Sequence, residues 1–157
     1  MRNEMIRRKI SLMTAKKVMQ QLTYLELIDI EEHDSTWLQV FESKLKEFRR
    51  IDSKATYTKS VSDLENNTIL WIENTLSFLK EKKEWLIVVP KCPEPVWANV
   101  QVLDYTKAIG ELWNTSESNS FLIADKSTGT VVQMFFEEQC YEIHVGKCDI
   151  TNVKENI

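Results

Sequence analysis

The sequence predicts an α+β fold, with N-terminal helices packed on a mainly antiparallel sheet formed by the C-terminal half. Three observations carry this reading. Between Trp85 and Val145 lie five short runs of branched and aromatic side chains, each bounded by turn residues. Upstream of them, apolar residues recur at the spacing of amphipathic helices rather than in alternation. The chain has 157 residues, the length of one domain with a core of its own. The expected layout is a single domain over 1–157. Residues 1–83 are its mainly helical part, 85–146 a sheet core with one short helix, and 147–157 a tail.

In chain order, Ile6, Ile10, Met13, Val18 and Leu22 suggest a helix over about 3–22, apolar stripe inward and basic face outward. Leu25 to Ile30 extends that helix or forms a brief strand. Glu31-Glu32-His33-Asp34 reads as an acidic surface loop, since no second His stands near His33 to complete a metal site. Asp34 or Ser35 caps the next helix, whose stripe is Trp37, Leu38, Phe41, Leu45 and Phe48. Residues 52–60 read as loop, and Val61 and Leu64 as one helical turn. Thr68–Ile72 suits helix or strand; Ile69, Ile72, Leu76 and Leu79 favour a helix running on to Lys83.

The sheet follows. Leu86–Val89 and Val96–Leu103 are joined by the proline-bearing loop 91–95. Asp104 or Thr106 opens a helix with Ala108, Ile109, Leu112 and Trp113 inward. Asn114–Asn119 reads as a polar loop. Asp125 to Gly129 is a hairpin connection with Gly129 free to take positive φ. It pairs Phe121–Ala124 with Thr130–Phe136. Glu137-Glu138-Gln139 turns the chain into Cys140–Val145, where Tyr141, Ile143 and Val145 share one face, and Glu142 and His144 the other.

Charge is unevenly spread. Residues 1–20 hold six cations against Glu4 alone, a net of +5; with −4 for the whole chain, the remainder carries −9. A body so negative disfavours nucleic acid as its main ligand, because phosphate contacts need Lys and Arg. It suits a basic partner. No apolar run approaches membrane-spanning length and no signal-peptide block opens the chain, so a cytoplasmic, non-membrane protein is expected. Cys92, Cys140 and Cys148 lack the spacing of ligand pairs and read as reduced thiols, with Cys140 in the core.

Catalytic signatures are missing. There is no glycine-rich phosphate loop, no C-x-x-C, no H-E-x-x-H and no G-x-S-x-G. Cys140 and His144 sit four apart on one strand, roughly 13 Å by strand rise, too far for a nucleophile–base bond. The expectation is therefore a protein with no catalytic group, no cofactor and no metal. What remains is acidic. Asp104, Glu111, Glu117, Asp125, Glu137, Glu138 and Glu142 fall in or around the sheet region. They are the candidate partner-binding residues, since complementary charge steers a basic partner into place.

The order Trp97-Ala98-Asn99, Asp104-Tyr105, Ala108-Ile109 with Leu112-Trp113, then Phe121 to Asp125 and Tyr141-Glu142-Ile143, resembles small immunity proteins of bacterial polymorphic toxin systems. The resemblance spans residues 85–146 and rests on apolar and acidic positions. It implies a cytosolic, non-catalytic protein that binds and blocks a cognate toxin, often a nuclease. Two other readings remain: a nucleic-acid-associated protein using the basic N-terminal helix, and a small enzyme with a site assembled from scattered residues.

Overall fold

A computed structural model describes residues 2–61, 68–116 and 120–155. Seven strands form one sheet: β1 (Leu25–Ile30), β2 (Tyr57–Ser60), β3 (Glu84–Val88), β4 (Trp97–Val102), β5 (Phe121–Asp125), β6 (Thr130–Glu137) and β7 (Cys140–Lys147). Their spatial order is β1-β4-β3-β5-β6-β7-β2, and every neighbouring pair is antiparallel. The five inner strands come from the C-terminal half, as expected. The two edges come from the N-terminal half.

The helices are α1 (Arg2–Gln21), α2 (Thr36–Phe48), α3 (Thr68–Thr75), α4 (Tyr105–Thr115) and α5 (Thr151–Glu155). They divide between the two sheet faces, because strand side chains alternate. Trp85, Ile87, Val100, Ile123, Val132, Met134 and Ile143 point to one face. There they pack with Ala15, Val18 and Met19 of α1, Ile72 of α3, and Ile109 and Leu112 of α4. Leu86, Trp97, Leu122, Ala124 and Val131 point to the other, under Leu38, Phe41 and Leu45 of α2. A sheet sandwiched in this way buries both faces, which explains why its central strands read as nearly continuous apolar runs.

Local chemistry sets the boundaries. Ser35 is the N-cap of α2, its Oγ accepting from Leu38 N at 3.2 Å. Asp104 caps α4 in the same way through Lys107 N, at 3.1 Å. Gly129 closes the β5–β6 hairpin at φ 82. A Cβ there would stand 2.4 Å from Cys148 O, so the position needs glycine twice over. Thr68–Thr75 is helical, so the helical alternative holds there, but the helix stops at Thr75 instead of running on to Lys83, and a 3-10 turn follows at Ser77–Leu79.

Leu25–Ile30 takes the strand form of its two expected alternatives, bulged between Leu27 and Asp29. Three expectations are corrected. First, α1 is rotated. Ser11, Ala15, Val18, Met19 and Leu22 are buried, whereas Ile6, Ile10 and Met13 are 49%, 50% and 63% exposed. The small side chains of Ser11 and Ala15 allow the helix to approach the sheet closely, and Ser11 Oγ accepts from Glu94 N at 3.2 Å. Residues 2–10 carry no buried side chain, so the first part of α1 overhangs the sandwich. Second, residues 57–60 are an edge strand rather than loop, paired with β7. Third, the C-terminal stretch is not a frayed tail. Cys148, Ile150 and Val153 are buried, and Cys148 N donates to Gly129 O at 2.8 Å. The expected helical turn around Leu64, and the end of the loop at 117–119, lie outside the described residues. Among the described residues, no helix is long and apolar enough to cross a membrane.

Candidate interaction surface

The seven acidic positions do not converge. Asp125 and Glu137 lie at opposite ends of β6: Asp125 pairs with Thr130, and Glu137 stands seven residues further, roughly 23 Å by strand rise. Several of the carboxylates have internal duties. Asp125 is only 4% exposed. Its Oδ1 accepts from Ser127 N and Oγ, its Oδ2 from Thr128 Oγ1, and Lys82 Nζ stands 3.7 Å away. It organises the hairpin turn. Glu111 accepts from Thr23 N and Tyr24 N, both at 2.7 Å, and so fixes the joint between α1 and β1. Glu142 is half-buried, with Oε1 3.1 Å from His144 Nε2. Asp104 is committed to its cap. Glu117 lies outside the described residues.

Glu137 and Glu138 differ from the rest. Both are exposed, at the β6–β7 turn. The turn has two central residues, Glu138 and Gln139, at φ 46 and 69. Positive φ at both positions is the geometry that Asn-Gly ordinarily supplies, so two L side chains are held here in a costly conformation.

An aromatic surface adjoins that tip. Phe136 lies directly across from Tyr141, with ring centroids 5.1 Å apart. Trp113 reaches over from α4 and meets Tyr141 edge-on, also at 5.1 Å. Tyr57 of β2 stands opposite Ile143 on the same face. Phe136 and Tyr57 are 44% and 45% exposed, and Trp113 and Tyr141 are half-buried. Lys59, opposite Tyr141, contributes the one cation of the four-residue strand β2. Four aromatic side chains beside an acidic turn have the composition of a protein-binding hot spot, although Glu137, paired with Cys140, lies on the reverse face.

The remaining titratable groups are structural or bare. His144 is buried between Phe48 and Phe135, at 5.3 and 4.9 Å. Cys140, on the same face of β7, is half-buried rather than core. Burial pushes the Cys92 and Cys148 thiols up, which disfavours the nucleophilic thiolate. Burial likewise raises the Tyr105 hydroxyl, which donates to Glu73 O at 2.7 Å. Glu31 is opposed by burial, which alone would raise its carboxyl. Bonds from Asn99, Lys126 and Ser35 outweigh that and hold it below the usual range. Glu32, His33 and Asp34 place three ligand-type atoms within 4.8 Å of one another, but all three residues are exposed, as acidic surface groups commonly are without an ion.

Sequence reasoning reached the acidic tip but missed the aromatics beside it. The alternation along Phe136, Tyr141 and Ile143 was visible. What hid the surface was that its fourth member, Tyr57, sits in a strand that read as loop. No protein-family model matches the chain, and no curated protein or solved structure matches it.

Proposed function

We propose that this chain is a non-catalytic binding protein, an immunity protein that neutralises a cognate bacterial toxin. The observation that supports the reading is the corner formed by Tyr57, Trp113, Phe136 and Tyr141 beside the Glu137–Glu138 tip. Exposed aromatics anchor in pockets of a partner, and exposed carboxylates select a basic one. A nuclease active-site face, built to bind phosphate, has that charge. Of the seven acidic positions, the reading keeps Glu137 and Glu138 as contacts.

Co-expression tests it. Cells carrying the toxin encoded beside this gene survive when the native chain is present. They die when it carries Phe136→Ala, Glu137→Lys and Glu138→Lys. Survival with the triple variant, or death with the native chain, removes the proposal.

The second reading, nucleic-acid contact through α1, is supported by the overhang of residues 2–10, where Arg2, Arg7, Arg8 and Lys9 are all exposed. It requires RNA or DNA affinity that falls steeply with salt and is lost in Arg7→Glu/Arg8→Glu/Lys9→Glu. Salt-independent or absent binding by the native chain disposes of it.

A further inference from the structure

At one end of the sheet, beside α2, lies a cavity of about 500 Å³. It opens where the C-terminal half of α2 passes the ends of β3 and β5. Its apolar lining includes Leu45, Val88, Trp97 and Leu122. The volume falls within the range that holds small organic ligands, roughly 300–1,000 Å³.

Three features of the lining are unusual for a mere packing gap. Lys46 and Arg49, three apart on α2, project from the same side of the helix, and Lys91 stands in the loop after β3. All three are exposed, and none forms an ion pair among the described residues. Against them, among the described residues, the cavity sets one carboxylate, Glu42. Lys91 also holds φ 66, a backbone state that favours glycine, and such strain gathers at ligand sites. Finally, Gln133 lines the cavity, and its buried Oε1 has no hydrogen-bond partner among the described residues. Its cross-strand neighbour His144 already engages Glu142, so that ring nitrogen does not relieve it. A buried acceptor left unmet is costly, and its deficit is removed by a donor arriving with a ligand.

We propose that this cavity binds a small amphipathic anion: a flat apolar body over Trp97 and Leu122, an anionic group among Lys46, Arg49 and Lys91, and an N–H or O–H donor for Gln133. The site is independent of the toxin reading, because it shares no residue with the aromatic corner.

Two probes isolate the donor. Indole-3-acetate and 1-naphthaleneacetate are both flat carboxylates, and only the first carries an N–H. Isothermal titration of each into the full chain yields one saturable site, with the indole bound about five-fold more tightly, the worth of one hydrogen bond. Gln133→Leu abolishes that preference, and Lys46→Glu/Arg49→Glu weakens both probes at least ten-fold. The exposed control Arg50→Glu, outside the cavity, changes neither. The exposure of Lys46 and Arg49 keeps the charge variant folded, and circular dichroism verifies it. Absence of saturable binding at millimolar probe overturns the site. So does equal affinity in the native chain and the charge variant. Equal affinity of the two probes in the native chain overturns the ligand class.

Discussion

Glu111→Ala separates a structural carboxylate from a partner-binding one. Glu111 receives two backbone N–H groups at 2.7 Å, from the residues that join α1 to the edge strand β1. Bonds to a charged acceptor contribute about 1.5–3 kcal/mol each when shielded. Thr23 is exposed, so water replaces its bond at small cost; Tyr24 is half-buried, so its loss weighs more. The expected destabilisation is about 2 kcal/mol. With a urea m value of about 2 kcal/mol/M, the unfolding midpoint falls by about 1 M at unchanged slope. Glu111→Gln, which retains one acceptor oxygen, loses about half as much. Glu137→Lys, on the exposed turn, moves the midpoint by less than about 0.25 M. Urea titration followed by tryptophan fluorescence reads all three. A fall below about 0.2 M for Glu111→Ala refutes the assignment of Glu111 to the α1–β1 joint.

Three further outcomes follow from the geometry. Gly129→Ala meets both a positive φ and Cys148 O at 2.4 Å. It costs about 2–3 kcal/mol and lowers Tm by about 4–12 °C in calorimetry, and an unchanged Tm contradicts it. Gln139→Gly relieves a left-handed L residue at φ 69 and raises Tm by about 2 °C, whereas a fall shows that the turn is unstrained. Glu31 is held below its ordinary pKa of 4.5 in the fold. Its contribution is therefore complete above that value and is lost as pH falls through the lower folded one. Glu31→Gln flattens the stability profile in that acidic window, and identical native and variant profiles between pH 5 and about pH 2 refute the claim.

The central strands were legible because they are buried on both faces and punctuated by turn residues. Leu86–Val88 ends before Pro90, and Asp125–Gly129 announces its hairpin. The edges were not. Tyr57-Thr58-Lys59-Ser60 buries nothing fully, so it lacks the alternation that marks a half-buried strand. The orientation of α1 failed for another reason. Periodicity identifies an apolar stripe, but which side packs depends on what the sheet offers, and close approach rewarded Ser11 and Ala15 over Ile6 and Ile10. At the C-terminus, Cys148, Ile150 and Val153 are too few and too interspersed with polar residues to signal burial before the β5–β6 hairpin is in place. For the candidate site, charge alone gave seven carboxylates. Hydrogen bonding then removed Asp104, Glu111, Asp125 and Glu142 from the free surface and left the strained tip beside Phe136.

Affinity for the cognate toxin, measured by titration calorimetry on the native chain and on Phe136→Ala/Glu137→Lys/Glu138→Lys, tests the central claim most directly. The native chain binds one to one, and the variant, with unaltered circular dichroism, binds about 100-fold more weakly. Equal affinities, or a native chain that chemically converts the toxin instead of holding it, contradict the claim that this protein acts by occupying a basic surface.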